Sequence, residues 1–224
     1  SLLIIINDIL DFSKIEAGHL TLEKTSFSLS EVFDGVGAIA EFLIRDKGKN
    51  LERRWATEEV KVLSVIGDPY RLEQVLINLL NNAVKFTDTG YIKYGVSLKN
   101  RDTLEFYVKD TGVGIPLEKE KIIFEPFRQA EEKTARKHGG TGLGLSISKS
   151  LIELMGGEVR LLSTPGEGTT FFFTLPYIAG KKELQGEKEK EYESSGKGVL
   201  PDIRKVLLAE DNHINQLVIT KILE

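Results

Sequence analysis

Residues 68–87, D-P-Y-R-L-E-Q-V-L-I-N-L-L-N-N-A-V-K-F-T, decide the fold of this chain. Asp68 followed by Pro69 is typical of the start of a helix, because aspartate accepts hydrogen bonds from the first amides and proline fits the first helical position. Apolar residues then recur every three or four positions, which predicts a helix that reaches about Phe86 with one side to bury. These apolar residues are Leu72, Val75, Leu76, Leu79, Leu80 and Ala83.

The opposite side of this helix carries unusual polar residues. They are Arg71, Gln74, Asn78, Asn82 and Lys85, again at helical spacing. Asparagine is a poor helix former, yet the interior of this helix has several. One explanation is a face exposed to water. The other is a functional face, on which an amide oxygen binds a hard cation such as Mg²⁺ and Lys85 contacts phosphate.

Strand patterns surround this helix. Residues 92–98 and 104–108 alternate apolar and polar side chains on either side of a turn at 100–102, which predicts a β-hairpin. Further strands are expected at 51–55, 60–66, 158–162 and 170–175, and further helices at 29–43, with Ser28 and Glu31 as a capping box, and at 143–155. This order indicates an α+β fold in which helices cover one face of a mixed sheet.

The composition excludes several classes of protein. The chain has 224 residues, 41% of them hydrophobic and 29% charged, as in an ordinary globular protein. It has no cysteine, which excludes disulfide frameworks, thiolate zinc sites and cysteine nucleophiles. Its net charge of −4 provides no basic excess for a phosphodiester backbone, so we expect no nucleic-acid partner. The longest apolar run, residues 2–6, is far shorter than the roughly 20 residues of a membrane-spanning helix.

The two ends of the chain differ from its middle. The apolar pattern of residues 2–12 predicts a helix that packs either on its own domain or, as we favour, in a helical bundle or dimer. Because the chain opens inside this pattern, we expect a segment of a longer polypeptide. Residues 180–198 mix charges of both signs with glycine and serine, as a solvated linker does, and the apolar strand at 206–208 begins a further domain.

Residues 109–116, K-D-T-G-V-G-I-P, contain a candidate binding residue. Alternation along the preceding strand places Asp110 on the apolar side of the sheet, where a carboxylate needs hydrogen-bond donors. One interpretation is that Asp110 binds the amides of its own glycine turn. The other is that it accepts a hydrogen bond from the exocyclic amine of adenine, while Gly112 and Gly114 let the backbone approach the base. Guanine has a carbonyl at that position, so Asp110 would select ATP over GTP.

Residues 139–145, G-G-T-G-L-G-L, open the helix at 143–155. Glycines before a helix leave amides that can bind an anion, so phosphate binding is plausible, although the run is neither a Walker loop nor a dinucleotide fingerprint. The polar stretch before it, which includes Arg136 and Lys137, is either an exposed loop or a lid that brings cations over phosphates.

In order, these motifs resemble those of the catalytic, ATP-binding domain of bacterial sensor histidine kinases of the hybrid type. Residues 68–87 resemble the asparagine box, 110–116 the first glycine box, 123–129 the phenylalanine box and 140–145 the second glycine box. The resemblance divides the chain into the end of a dimerisation helix (1–24), the catalytic domain (25–179), a charged linker (180–202) and the start of a receiver domain (203–224).

The resemblance implies a two-layer α/β sandwich, shared with DNA gyrase, a heat-shock chaperone and mismatch-repair ATPases, with ATP and Mg²⁺ as cofactors. It implies that Asn82 binds Mg²⁺ with support from Asn78, that Asp110 binds adenine, and that Phe124 and Phe127 anchor the lid. The implied nucleotide-binding set is Asn78, Asn82, Lys85, Asp110, Gly112, Gly114, Ile115, Phe124, Phe127, Arg136, Lys137, Gly140, Thr141, Gly142, Leu143, Gly144 and Leu145.

The resemblance also implies a phosphorelay in which the γ-phosphoryl of ATP passes to a histidine and then to an aspartate. None of His19, His138 and His213 lies in the family's acceptor motif, so the acceptor is expected outside this chain. Glu210 and Asp211 resemble the metal-binding pair of a receiver, or cap a helix. The implied partners are the dimerisation domain, the receiver domain and, in the parent, a second copy. The implied location is the cytoplasm, whether or not the parent is anchored in the inner membrane.

Two other classes stay open. A hydrolase of the same superfamily would use a glutamate of the asparagine helix as general base, and Glu73 is the candidate. A degenerate nucleotide sensor or interaction module would keep the fold without the chemistry.

Overall fold

A computed structural model describes residues 2–56, 64–128 and 142–180. The chain divides after Lys182, and all of the described residues belong to the first unit. The predicted linker beyond 180 and the predicted start of a receiver domain lie outside the described residues, as does the loop with Arg136 and Lys137. In the described part, no helix is both long enough and apolar enough to cross a membrane.

Four α-helices and seven strands make up this part of the chain. The helices are α1 (Leu2–Glu16), α2 (Leu29–Asp46), α3 (Pro69–Phe86) and α4 (Gly144–Leu154). The strands are β1 (Thr25–Ser28), β2 (Asn50–Ala56), β3 (Ser64–Gly67), β4 (Thr89–Asn100), β5 (Thr103–Asp110), β6 (Val159–Thr164) and β7 (Gly168–Pro176).

Five strands form a mixed sheet in the order β2-β4-β5-β7-β6, in which β2 and β4 are parallel and the other neighbours antiparallel. The predicted hairpin is confirmed as β4 and β5. Burial alternates along β5, with Leu104, Phe106, Val108 and Asp110 on the buried side. Helices pack on that side, so the predicted α+β fold with a mixed sheet covered by helices is confirmed.

Stacked aromatic rings join the helical layer to the sheet. The ring of Phe33, on α2, stacks on Tyr94 at 6.1 Å and on Phe106 at 6.3 Å, and Phe106 stacks on Phe173 at 4.7 Å. The predicted apolar side of α3 is buried beside them. Complete burial of one such side chain stabilises the folded state by roughly 1.5–3 kcal/mol. Packing on the sheet therefore determines which side of α3 is left to contact other elements or a ligand.

A small second sheet adjoins α3. Strand β1, which the sequence pattern did not predict, pairs antiparallel with β3, and Ala179 extends it by a bridge to Val65. Strand β3 is described from Ser64, within the strand predicted at 60–66, and the first predicted residues lie in 57–63, outside the described residues. Asp68 then caps α3 as predicted, because its Oδ1 accepts from the amide of Arg71 at 3.0 Å.

The capping box predicted at Ser28 and Glu31 is wrong. Ser28 is the N-cap of α2, but its side chain makes no capping hydrogen bond. Its hydroxyl lies 3.0 Å from the hydroxyl of Ser30 instead, so the two serines pair with each other.

Lys49 caps the C-terminal end of α3 from a different element. Its Nζ donates to the carbonyl oxygens of Val84, Lys85 and Thr87 at 2.9, 3.1 and 2.7 Å, and it lies 3.0 Å from Asp88 Oδ1. The last carbonyls of a helix have no partner within the helix. One ammonium group therefore donates to three of the carbonyl groups at the end of α3.

We expect Lys49→Met to lower the free energy of unfolding by about 1–3 kcal/mol, because it leaves part-buried carbonyl groups without a donor. Urea denaturation measures this change. Lys47→Met is the matched control, since among the described residues the Lys47 side chain makes one, longer hydrogen bond, 3.4 Å to Asn81 Oδ1. Equal losses in both variants would contradict the capping role.

Candidate functional site

Asp110 ends β5 with its carboxylate buried, at 6% relative exposure. Its Oδ1 accepts from the amide of Gly112 at 2.8 Å, and the amide of Thr169 on β7 also donates to the carboxylate. Burial raises the pKa of Asp110, while these two amides and the Thr87 hydroxyl lower it in part. Asp110 therefore does bind an amide of its own glycine turn, as one interpretation of the sequence predicted. A carboxylate has about four acceptor positions, so it can still accept a hydrogen bond from a ligand.

The hydroxyl of Thr87 lies beside Asp110 and is completely buried. It lowers the pKa of the carboxyl, yet it forms no hydrogen bond of ordinary geometry within the described part of the chain. A buried polar group without a partner is costly. A polar ligand beside Asp110 would give this hydroxyl a partner, so the residues at this end of the site fit a base with hydrogen-bonding edges.

The loop after Asp110 is held tightly against its neighbours. A Cβ on Gly112 would overlap the carbonyl oxygen of Phe86, and a Cβ on Gly114, at φ +70°, would overlap that of Thr164. The amide of Ile115 donates to Ser163 Oγ at 2.8 Å. Glycine is therefore required at both positions because the loop passes close to the end of α3 and to β6.

The other part of the site is the contact between α3 and α4. Asn78 Nδ2 donates to Ser148 Oγ at 2.8 Å. The start of α4 passes so close that a Cβ on Gly144 would overlap Asn78 Oδ1. Asn78 therefore faces the N-terminal end of α4 rather than water, which excludes the outer-face explanation for this residue.

Asn82 and Lys85 follow Asn78 along the same helix and are partly exposed. Among the described residues the Asn82 amide makes no hydrogen bond, so its oxygen is available to a ligand. Burial lowers the pKa of the Lys85 ammonium group. A phosphate beside Lys85 would favour its charged form.

Among the described residues, no side chain caps the N-terminal end of α4, whose N-cap is Leu143. Uncapped amides and the helix dipole favour a bound anion at such an end. Just before it, the carbonyl of Gly142, at φ +71°, accepts from the amide of Phe127 at 3.1 Å. This bond joins the two flanks of 129–141, and Arg136, Lys137, Gly140 and Thr141 within that stretch lie outside the described residues.

The two predicted phenylalanines have different surroundings. The ring of Phe124 meets Phe171 edge-on at 6.3 Å, at the border of the core. Phe127 is 65% exposed, has a positive φ of 61°, and its ring contacts Phe12 of α1 edge-on at 6.0 Å.

A part-buried polar cluster also attaches α1. Asp11 Oδ2 accepts from Arg71 Nη1 at 3.0 Å and from Gln74 Nε2 at 2.8 Å. Sequence reasoning assigned Arg71 and Gln74 to the same face as Asn78 but missed their partner. The apolar residues predicted on α1 therefore have different surroundings. Phe12 packs on this unit, whereas Ile9 is 45% exposed.

Glu73 lies on a different side of α3. Its Oε1 is the atom nearest to a Cβ built on Gly35 of α2, and burial raises the pKa of its carboxyl. Asn78 faces α4, so Glu73 is not placed to activate water at the same ligand. Glu210 and Asp211 lie outside the described residues.

The end of α3 connects the two parts of the site. The amide of Val113 donates to the carbonyl of Phe86 at 3.3 Å, and Thr87 reaches Asp110. Asp110 therefore adjoins the last turn of the helix that carries Asn78 and Asn82. Thr87 and Thr169 were missed by sequence reasoning, since an isolated threonine in a strand or turn carries no distinctive pattern.

Comparison with known proteins identifies the family to which the chain is similar. Residues 67–179 match the family described as histidine kinase-, DNA gyrase B-, and HSP90-like ATPase. Over the whole chain the sequence is 37% identical to hybrid signal transduction histidine kinase K of Dictyostelium discoideum. Over 78% of the chain it is 44% identical to the signal transduction histidine-protein kinase BarA of Escherichia coli K12. The chain spans 19% of the length of each of these relatives.

A solved structure is similar as well. The crystal structure of full-length ShkA in complex with AMPPNP matches 80% of this chain and 36% of that chain, with a TM-score of 0.69 and 32% identity.

We expect Gly144→Ala to lower the free energy of unfolding by about 1–3 kcal/mol, because the added methyl group overlaps the Asn78 amide and overpacks the α3–α4 contact. Gly35→Ala is the matched control. Its new Cβ would meet nothing closer than 3.9 Å, so it should be neutral or stabilise α2 by up to about 1 kcal/mol. Thermal unfolding followed by circular dichroism compares the two, and a Gly144→Ala protein as stable as wild type would refute the close contact.

Proposed function

Because the chain belongs to the family of histidine kinase-, DNA gyrase B- and HSP90-like ATPases, we propose that it binds ATP with Mg²⁺ and donates the γ-phosphoryl group to a histidine of a dimerisation domain. Adenine would lie at Asp110 and the phosphates between α3 and the start of α4. The similarity to hybrid histidine kinases along the whole chain supports this function.

The buried pair of Asp110 and Thr87 is the observation that carries the proposal. The Asp110 carboxyl is buried with acceptor capacity to spare, and the buried Thr87 hydroxyl beside it has no hydrogen bond of ordinary geometry among the described residues. Both are costly for the folded protein, and a polar ligand that donates to the carboxylate and hydrogen-bonds the hydroxyl would offset that cost. The exocyclic amine of adenine is such a donor. The relative with bound AMPPNP, an adenine nucleotide analogue, supports this ligand class.

The phosphate end would use three features of α3 and α4. The uncapped end of α4 offers backbone amides, and Lys85 offers a positive charge. Asn82 would hold Mg²⁺ through its amide oxygen, while Asn78, whose Nδ2 is engaged by Ser148, fixes the position of α4. Mg²⁺ bound with ATP neutralises charge that develops during phosphoryl transfer. These residues would act by positioning and by charge neutralisation, so they require no nucleophile of their own.

The receiving histidine would come from a dimerisation domain, to which we assign residues 1–24. Asp11 and Phe12 of α1 already contact Arg71 and Phe127 of the nucleotide-binding part. These contacts are suited to holding a dimerisation helix beside the site. In the parent protein we propose a homodimer, with catalytic domain 25–179, linker 180–202 and a receiver from 203 in which Glu210 and Asp211 bind a metal ion. We place these domains in the cytoplasm.

We expect ATP with Mg²⁺ to raise the Tm of the chain and GTP to raise it much less, because guanine presents a carbonyl to Asp110. Ligand at a hundred times its Kd stabilises the native state by about 2.7 kcal/mol. Asp110→Asn should abolish most of the shift with ATP, and Asp102→Asn, in an exposed turn, should retain it. Equal shifts with ATP and GTP in the wild-type chain would contradict the role of Asp110.

The shift with ATP should also depend on pH. Protonation removes the charged acceptor that adenine requires, and burial raises the pKa of Asp110 above its ordinary value of 3.8. The loss of binding should therefore begin at a higher pH than for an ordinary aspartate as the solution is acidified. Differential scanning fluorimetry across a pH series measures this, with Asp110→Asn as the variant that lacks the dependence.

We expect this chain alone to incorporate no acid-labile phosphate from radiolabelled ATP, because none of its histidines lies in an acceptor motif. Addition of a histidine-containing dimerisation domain in trans should restore phosphorylation on that domain. Acid-labile label on the chain itself would contradict the expected absence of an acceptor histidine, and no label on the added domain while ATP still binds would contradict the kinase assignment.

A further inference from the structure

The outer face of the five-stranded sheet, opposite the helices, carries a row of three cations. Arg54 on β2 lies opposite Lys93 on β4, and Lys93 lies opposite Lys109 on β5. Neighbouring strands are about 4.8 Å apart, so the three charged side chains arise within roughly 10 Å of sheet. We call these three residues the cation row.

The charges of the cation row are poorly compensated. Like charges directly opposite each other destabilise a sheet. Arg54 has an ion-pair partner in Glu52, but Lys93 and Lys109 form no ion pair with any residue that the structure describes. Elsewhere on the same face the cations are compensated, since Lys99 and Arg160 both lie 3.2 Å from Glu105.

Aromatic rings flank the cation row on both sides. The guanidinium of Arg54 lies 4.2 Å from the ring centroid of Tyr91, and the Nζ of Lys109 lies 5.9 Å from it. Lys93 Nζ lies 5.9 Å from the ring of Tyr107. With Phe172 and Thr170 these residues line an open depression of about 500 Å³. The rings orient the cations but add no negative charge, so an anion would still be attracted.

We propose that the cation row is a docking surface for an acidic segment of a partner protein. This face has three more cations than acids, in a chain whose net charge is −4, so positive charge is concentrated here. An extended segment places alternate side chains on one side at about 6.6–6.8 Å intervals. Two of its carboxylates can therefore meet the row while the flanking rings contact its apolar atoms.

A protein segment fits this surface better than a nucleic acid does. Double-stranded DNA carries a charge about every 1.7 Å along its axis and needs an extended basic track. The cation row is compact, and the remainder of the chain is net negative. Because these cations are exposed or partly exposed to solvent, the interaction should weaken as salt screens their charges.

Fluorescence anisotropy tests the proposal with a labelled peptide in which glutamate alternates with serine. The whole chain should bind it at low salt, and Lys93→Thr with Lys109→Thr should weaken binding about tenfold or more. Threonine keeps the preference for strand, so the Tm of this double variant should not fall. Lys14→Ala with Lys24→Ala removes the same charge from exposed positions elsewhere and should bind as wild type does.

Other outcomes would overturn the proposal. These are no binding of the peptide, equal weakening in both double variants, or equal binding of a peptide with glutamine in place of glutamate. Tighter, lysine-dependent binding of a DNA duplex would identify a nucleic-acid surface and would also overturn it. None of these outcomes bears on ATP binding, which is measured separately.

Discussion

Helices α3 and α4 meet at a point where there is no space for a side chain on α4, and the proposed nucleotide site depends on this contact. Gly144 lies directly against the amide of Asn78, and Ser148 fixes that amide one turn later. An uncapped helix end is thereby held against the polar side of a second helix. The apolar side of α3 packs on the sheet. The side chains of Asn78, Asn82 and Lys85 therefore lie on the side of α3 where we propose that phosphates bind.

The polar groups of the proposed site are costly to bury, and the surrounding structure offsets that cost. Asp110 is buried, which raises the pKa of its carboxyl, and the neighbouring Thr87 hydroxyl is unpartnered in the described part of the chain. The stacked rings around Phe106 and the ammonium of Lys49, which caps the end of α3, stabilise the elements on either side. The proposed binding site is therefore supported by a packed core on either side.

Much of this arrangement could be predicted from the sequence, because the spacing of apolar residues along a helix or a strand indicates which side is buried. The period of α3 and the alternation of β5 placed Asn78 and Asp110 correctly on their elements. Contacts between distant elements left no such pattern. Lys49 as a cap, Asp11 as the partner of Arg71, and Thr87 beside Asp110 depend on tertiary packing, and the serine pair at the start of α2 replaced a capping box that local sequence favoured.

A crystal structure of the chain with Mg²⁺ and a non-hydrolysable ATP analogue tests the account most directly. We predict that the exocyclic amine of adenine lies within about 2.7–3.2 Å of the Asp110 carboxylate, with the phosphates at the start of α4 and Mg²⁺ on the amide oxygen of Asn82. A base bound remote from Asp110, or phosphates that contact neither α3 nor α4, would contradict it.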